Sequence, residues 1–249
     1  MNGVVITTAL REKECTEALQ LVLDYTPKPR KIVLCHSPGR PELDAEWPKY
    51  LAAANPEVIY RKLTPGQSGG MTAAWNLGFR ILRDEGCDAI VCMNDDVYVN
   101  SSWPNIFATA REYTKSMVGP VSNKPGVDYT RHQKQAGTID KVWVFEKEQY
   151  ALKGDGSSSK EPLFCVNGFC FALHGSLCDD LILEYGDVLD QAGYPWGGQE
   201  EDLGRRIEKM GGTVAVDGRT YVIHLKFSDW RTHGLKNQDF RPRKDSPNP

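Results

Sequence analysis

Hydrophobic and polar positions alternate in blocks along the first third of the chain, and the blocks predict alternating strands and helices. Apolar runs at 3–9, 31–36 and 58–60 are typical of buried strands, and apolar residues at helical spacing predict helices over 12–25 and 45–54. Pro27 and Pro29 end the first of these helices. This order implies parallel strands with right-handed crossovers, so we predict an α/β fold with a mostly parallel central sheet flanked by helices.

The same pattern continues, less regularly, to residue 225. It predicts helices over 71–83, 104–115, 176–185 and 203–210, and strands at 88–94, 116–121, 213–216 and 220–225. Residues 164–173 are typical of a strand pair or of one long strand with a bulge at Gly168. Residues 139–150 fit a strand or an amphipathic segment equally well, and 153–160 has the composition of a flexible loop.

Length and composition narrow the class of protein. The 249 residues carry a net charge of −3, so there is no global basic field to attract nucleic acid. We expect one domain over 1–235 and a loosely held, charged and proline-rich tail over 236–249. Seven cysteines without a Cys-x-x-Cys pair, the lack of a transmembrane run and the short apolar N-terminus suggest a reduced, cytoplasmic location.

The apolar run that starts at residue 88 is interrupted by two adjacent acids, Asp95 and Asp96. In an open α/β sheet the carboxyl end of a strand is where ligands bind. Buried acids need a partner, and a divalent metal that carries a phosphate would satisfy them. Taken alone, the pair fits a solvated turn before the next helix equally well.

Two further segments carry candidate chemistry. Gly69 and Gly70 open the helix over 71–83, where free backbone N–H groups can meet a phosphate, although a plain loop explains them as well. The same helix contains Asn76 and Gly78, which are poor helix formers; Gly costs ~1 kcal/mol relative to Ala. That cost suggests that something approaches this helix face closely.

Near the C-terminal end, an acidic cluster at 200–202 precedes a predicted helix, and His224 ends the last strand. Each feature has an ordinary explanation on its own. The acids suit a helix N-terminus, His224 suits a core position, and Trp196 suits packing.

Together and in this order, these segments resemble the GT-A glycosyltransferases, especially the inverting family 2 and its relatives. The resemblance extends from Val4 to about His224. The matching segments are Gly69-Gly70 with Asn76 and Gly78, Asn94-Asp95-Asp96, Asn167-Gly168-Phe169, the tract 196–203 with Arg206, and His224. The chain departs from the family pattern at Asn94, where Asp is usual, at Gln199, where Glu is frequent, and at Glu200, where Asp is common.

The resemblance implies a metal-dependent inverting transferase that moves a sugar from a nucleotide-diphosphate sugar to a hydroxyl of an acceptor. Asp96 and His224 would hold Mn²⁺ or Mg²⁺, with help from Asp95. Glu200 would be the catalytic base. Glu201 and Asp202 would orient the acceptor or cap the helix, although either Glu200 or Glu201 could face the acceptor. The acceptor side would comprise Trp196, Gly197 and Gly198.

The donor would be a UDP-, dTDP- or GDP-sugar, and topology brings its binding residues to one sheet edge. These residues would be Thr7, Thr8, Ala9, Arg11, Gly69, Gly70, Asn76, Asn94 and Asp95. The acceptor would be a glycan, either soluble, lipid-linked and met at a membrane surface, or protein-borne.

Two alternatives remain at the level of the sequence. A nucleotidyltransferase acting on a sugar phosphate could share the sheet and the acid pair, but only Arg11 and Lys13 lie near the first strand to hold a triphosphate. A non-catalytic glycan-binding module could share the fold, but the acids at both sites argue against it.

Overall fold

The computed structural model describes residues 1–8, 11–37, 45–63, 70–125, 132–146, 165–194 and 198–225. Within these ranges the chain forms strands β1 (Asn2–Thr8), β2 (Arg30–His36), β3 (Val58–Lys62), β4 (Ala89–Asn94), β5 (Val97–Tyr98), β6 (Ser116–Ser122), β7 (Val142–Phe145), β8 (Cys170–His174) and β9 (Thr213–His224). The helices are α1 (Glu12–Tyr25), α2 (Trp47–Ala53), α3 (Gly70–Asp84), α4 (Pro104–Glu112), α5 (Gly175–Tyr185) and α6 (Gln199–Lys209).

The strands form one sheet in the order β3-β2-β1-β4-β8-β6-β9-β5, and β7 pairs with β9 outside this path. The first four strands are parallel, β8 runs antiparallel between β4 and β6, and β6 is again parallel to β9. The predicted α/β fold with a mostly parallel sheet is confirmed. The carboxyl ends of β1, β2 and β4 therefore meet at one edge of the sheet.

Helices cover both faces of the sheet, because alternate strand residues point to opposite sides. One core lies under α3, α5 and α6 and includes Trp75, Phe79, Leu181 and Ile207. The other lies under α1, α2 and α4 and includes Leu19 and Phe107. None of the described helices is long and apolar enough to cross a membrane.

The glycine inside α3 has a packing reason. A Cβ atom at Gly78 would lie 2.4 Å from Cγ1 of Val5 in β1, far closer than any real contact. The close approach predicted for this helix face is therefore that of the sheet itself.

The predicted bounds were wrong at three places in the chain. Helix α6 begins at Gln199, so the acids at 200–202 lie inside its first turn and do not precede it. The two closing strands are one strand, β9, with a register shift opposite Pro120 and Val121. Strand β8 begins only at Cys170, and Gly168 lies in a turn before it instead of in a bulge.

The undecided segment at 139–150 contains β7. The predicted loop at 153–160 and the tail at 236–249 lie outside the described residues.

Candidate active site

The two acids lie in the turn between β4 and β5, and both are buried. Asp95 is held from two sides: Thr8 Oγ1 donates to Oδ2 at 2.7 Å, and Arg11 Nη1 donates to Oδ1 at 2.7 Å. The same Arg11 nitrogen lies 3.2 Å from Asp96 Oδ2. One guanidinium thus offsets part of the charge of two buried carboxylates, as buried charges require.

His224 lies beside Asp96 because β5 and β9 pair antiparallel, with Val97 opposite His224. The distance from His224 Nε2 to Asp96 Oδ1 is 3.5 Å. On the other side of the ring, Nδ1 lies 2.7 Å from the carbonyl oxygen of Lys124, a distance at which an Nδ1 proton is donated to that oxygen. With Nδ1 anchored in this way, the ring presents Nε2 toward Asp96, as in metal-binding histidines whose second nitrogen is anchored.

Asp96 and His224 fit half of a site for a divalent cation. Among the described residues, no group of three or more His, Cys, Asp or Glu side chains could hold a metal ion by itself. Such a limited protein contribution suits Mg²⁺-like ions, which are commonly bound by one or two carboxylates, substrate phosphates and water. Asp95, which we expected to help, is instead turned toward Thr8 and Arg11.

Glu200, in the first turn of α6, packs its carboxylate against the backbone of Gly168. A Cβ atom at Gly168 would lie 3.1 Å from both Cδ and Oε2 of Glu200, so the glycine leaves room for this carboxylate. Burial raises the pKa of Glu200, and the charge of Glu201 raises it further, while the N–H groups of Glu200 and Gly168 lower it in part. A carboxylate with a raised pKa is better suited to accept a proton near neutral pH.

The neighbouring acids of α6 have arginine partners. Asp202 Oδ2 lies 2.6 Å from Arg206 Nε, and Glu201 Oε2 lies 4.0 Å from Arg205 Nη2. The guanidinium of Arg206 also stacks on the ring of Tyr185 at 4.7 Å. Within the part of the chain that the structure describes, Glu200 alone of these three acids forms no ion pair.

A single turn connects the two halves of the site. Gly168 contacts the carboxylate of Glu200, and the ring of the next residue, Phe169, stacks on His224 with 4.6 Å between ring centroids. The carbonyl of Phe169 also accepts the N–H of Asn94 at 3.0 Å. Gly168 and Phe169 are consecutive, with Cα atoms about 3.8 Å apart, so one turn contacts both the candidate base and a candidate metal ligand.

Apart from Asn76, the remaining predicted residues divide into three groups. Thr7 is buried in β1 opposite Asn94 of β4, so both lie at the edge that carries Asp95. Gly70 begins α3 with a φ of 66°, and Gly198 caps α6 with a φ of 81°, conformations that favour glycine. Ala9, Gly69, Trp196 and Gly197 lie outside the described residues.

Asn76 has a different role from the predicted one. Its Nδ2 donates to the Leu189 carbonyl at 2.9 Å, and its Oδ1 accepts the Leu189 N–H at 3.0 Å. The buried amide therefore anchors the segment after α5, and it is not part of the donor pocket that we propose below.

Two residues near the site were missed from the sequence. Ser37 follows β2, its N–H donates to the Thr8 carbonyl at 2.9 Å, and its buried hydroxyl has no hydrogen-bond partner among the described residues. The signal that pointed to Asp95, a polar residue directly after a buried strand, could have found it. Gln133 lies in a predicted loop and carries no such signal.

No protein-family model matches the sequence, and no curated protein sequence matches it. Solved structures do match the fold. The crystal structure of GalNAc-T7 with UDP, GalNAc and Mn²⁺ aligns with a TM-score of 0.61 at 15% identity, covering 90% of this chain and 43% of that chain. The protein has the GT-A fold.

The structure of S. aureus TarS 1–349 gives the same result, with a TM-score of 0.59 at 12% identity, covering 88% of this chain and 59% of that chain. The GT-A chain described here therefore spans about half the length of these two structures. At identities this low, the structural likeness shows the fold alone. The chemistry of the site therefore depends on the residues of this chain.

Proposed function

We propose that the protein is a metal-dependent inverting glycosyltransferase that moves a sugar from a nucleotide-diphosphate sugar to a hydroxyl of a glycan or other acceptor. The observation that supports this most strongly is the turn at 168–169. Through Gly168 this turn contacts Glu200, a buried carboxylate without an ion-pair partner among the described residues, and through Phe169 it contacts His224, which lies beside Asp96.

The donor nucleotide would lie at the carboxyl edge of β1, β2 and β4, where α/β sheets bind ligands. Thr7 and Thr8 end β1, and Asn94 ends β4, while Ser37 and Asp95 directly follow β2 and β4. UDP and Mn²⁺ are present in the GalNAc-T7 structure, which supports a nucleotide diphosphate as part of the donor and makes UDP-sugars the first donors to test. Thr8 and Arg11 would fix Asp95, leaving Asp96 and His224 for the cation.

A divalent cation, when bound, would neutralise the charge that develops on the departing diphosphate. The proton transfer from the acceptor would be carried out by a side chain of this protein. Glu200 would take the proton of the acceptor hydroxyl as that oxygen attacks C1 of the sugar. Since Glu201 and Asp202 are each paired with an arginine, one carboxylate of the cluster is left to act, and a single displacement by an activated hydroxyl inverts the configuration at C1.

The alternative of nucleotidyl transfer has less support. Arg11, the cation nearest the end of β1 in the sequence, is engaged with Asp95 and Asp96. The guanidinium is therefore already committed to carboxylates where a triphosphate would need it.

The decisive experiment is a transfer assay on purified protein with a panel of UDP-, dTDP- and GDP-sugars, Mn²⁺ and a glycan array. We expect release of the nucleoside diphosphate together with a glycosylated product whose anomeric configuration, read by NMR, is opposite to that of the donor. Full activity in EDTA would contradict the metal dependence, and a product that retains the donor configuration would contradict the mechanism. Pyrophosphate released from a nucleoside triphosphate and a sugar phosphate would instead support nucleotidyl transfer.

A further inference from the structure

A fully buried glutamine, Gln133, fixes the turn that carries Gly168. Its Oε1 accepts two hydrogen bonds from Asn167, one from the backbone N–H and one from Nδ2, both at 2.9 Å. Its Nε2 donates to the Pro120 carbonyl at 3.1 Å. Gln133 thus connects the turn before β8 to the end of β6.

The segment that carries Gln133 is itself held along β6. The backbone carbonyl of Gln133 accepts a hydrogen bond from the N–H of Ser122 at 2.7 Å, and the N–H of Gln135 donates to the Ser122 carbonyl at 3.1 Å. The amide lies close to Gly119, where a Cβ atom would come within 2.6 Å of Nε2. A buried side chain that is packed this tightly and hydrogen-bonded at both its oxygen and its nitrogen holds its hydrogen-bond partners in a single position.

We propose that Gln133 is a positioning residue that acts through Asn167 to set the place of Gly168 against the carboxylate of Glu200. Asn167 and Gly168 are consecutive, so a shift of the first moves the second. The inference deepens the proposed function, on which the catalytic role of Glu200 rests, but its structural part can be measured without any substrate.

The surroundings of Glu200 give this contact a measurable consequence. The titratable groups that the described elements place near its carboxylate are Glu201 of the same helix and the buried thiol of Cys165. The N–H of Gly168 acts against them by lowering the pKa of Glu200. If Gln133 no longer holds the turn, that N–H moves away and the pKa of Glu200 rises.

The test is a titration by ¹³C NMR of protein labelled at the glutamate carboxyl carbons, with the Glu200 signal assigned by its loss in Glu200→Gln. We expect Gln133→Met, which is unbranched and similar in size but can neither accept nor donate these bonds, to move the Glu200 midpoint upward. With the donor and acceptor found in the array, kcat should fall roughly 10- to 100-fold, as for a small misplacement of a reacting group, while KM for the donor changes little. An unchanged midpoint and unchanged kcat in folded Gln133→Met would overturn the proposal.

Asn167→Ala provides a second variant in case Gln133→Met does not fold. It removes only the Nδ2 bond, so the midpoint should move in the same direction by less, and no movement would count against the proposal. Thr109→Val is the matched control: it removes a buried 2.9 Å bond from Thr109 Oγ1 to Asp217 Oδ2, seven residues before His224 in β9. It should lower Tm without moving the Glu200 midpoint.

The catalytic role of Glu200 and the positioning role of Gln133 can be disproved separately. If Glu200→Gln keeps full transfer activity, the proposed function is wrong whatever Gln133 does. If Glu200→Gln is inactive and both turn variants leave the titration unchanged, the proposed function stands and this inference is wrong.

Discussion

At the scale of single residues, the neighbours of each carboxylate decide what it can do. Asp95 is bound by Thr8 and Arg11, and Asp202 is bound by Arg206. Glu200 is buried against a glycine backbone and has no cation partner among the described residues. The same functional group therefore serves as a structural anchor in two positions and as a candidate base in the third.

Removal of this candidate base gives the first prediction. Glu200→Gln keeps the size of the side chain but cannot accept a proton, so kcat should fall by about 10²–10⁴ while donor binding is retained. Asp202→Asn is the control. It breaks the pair with Arg206, so it should lower Tm, and its loss of kcat should be much smaller than that of Glu200→Gln. If Glu201→Gln is inactive and Glu200→Gln stays near wild type, the base is the next residue along the helix.

The same variant should change stability in the opposite direction from activity. Burial raises the pKa of Glu200 in the folded protein, so this group favours folding when it is protonated and loses that contribution as the pH rises through the raised pKa. Glutamine stays neutral at every pH. Glu200→Gln should therefore unfold at a higher urea concentration than wild type at about pH 8, and this gain should vanish at about pH 4, below the ordinary pKa of glutamate. A variant that is less stable than wild type at the higher pH would contradict the burial argument.

At the scale of elements, the apolar pattern predicted where most strands and helices lie along the chain, because strands and helices bury residues with different periods. It misplaced the start of α6, since Gly198 and three acids have the composition of a loop. In the structure Gly198 adopts a left-handed conformation that begins the helix, and the acids occupy its first turn, where the macrodipole favours them.

The candidate site was predictable to the extent that it lies at strand ends. Asp95, Asp96 and His224 follow or end apolar runs, and the structure brings them together. The roles of Gln133 and Asn76 depend on backbone partners 34 and 113 residues away, at Asn167 and Leu189. No local pattern encodes such partners, so these two roles required coordinates.

The packing of α3 on β1 gives a prediction that separates packing from helix propensity. Gly78→Ala should stabilise an isolated helix by ~1 kcal/mol, yet the new methyl group would collide with Val5. Overpacking costs typically about 1–3 kcal/mol, so the variant should unfold at a lower urea concentration than wild type.

Two further variants test the cause. Gly137→Ala, at a glycine whose Cβ would meet nothing within 4 Å, should be close to neutral. Val5→Ala removes the colliding methyl groups, so the double variant Val5→Ala with Gly78→Ala should be more stable than the sum of the single changes predicts. Strict additivity would show that the collision is relieved elsewhere.

At the scale of the whole molecule, the site lies where the two halves of the chain meet. Strands β1, β2 and β4 from the first half supply the proposed donor edge, while α6 carries the candidate base and the turn before β8 contacts it. Strand β8 runs between β4 and β6 and so joins the halves inside one sheet. Binding of both donor and cation should therefore stabilise the fold as a unit.

This coupling allows the proposed cation site at Asp96 and His224 to be tested without a known acceptor. Asp96 and His224 alone are a weak site, so Mn²⁺ or UDP added singly should raise Tm little, and both together should raise it by more than the sum. A ligand at 100 times its Kd contributes about 2.7 kcal/mol. Asp96→Asn should abolish the increment that Mn²⁺ adds to UDP. Asp179→Asn changes an exposed aspartate of α5 that pairs with Arg83 and should keep that increment. If Asp96→Asn responds to Mn²⁺ with UDP as wild type does, Asp96 is not a ligand of the cation, and the metal half of the proposed site has to be sought elsewhere.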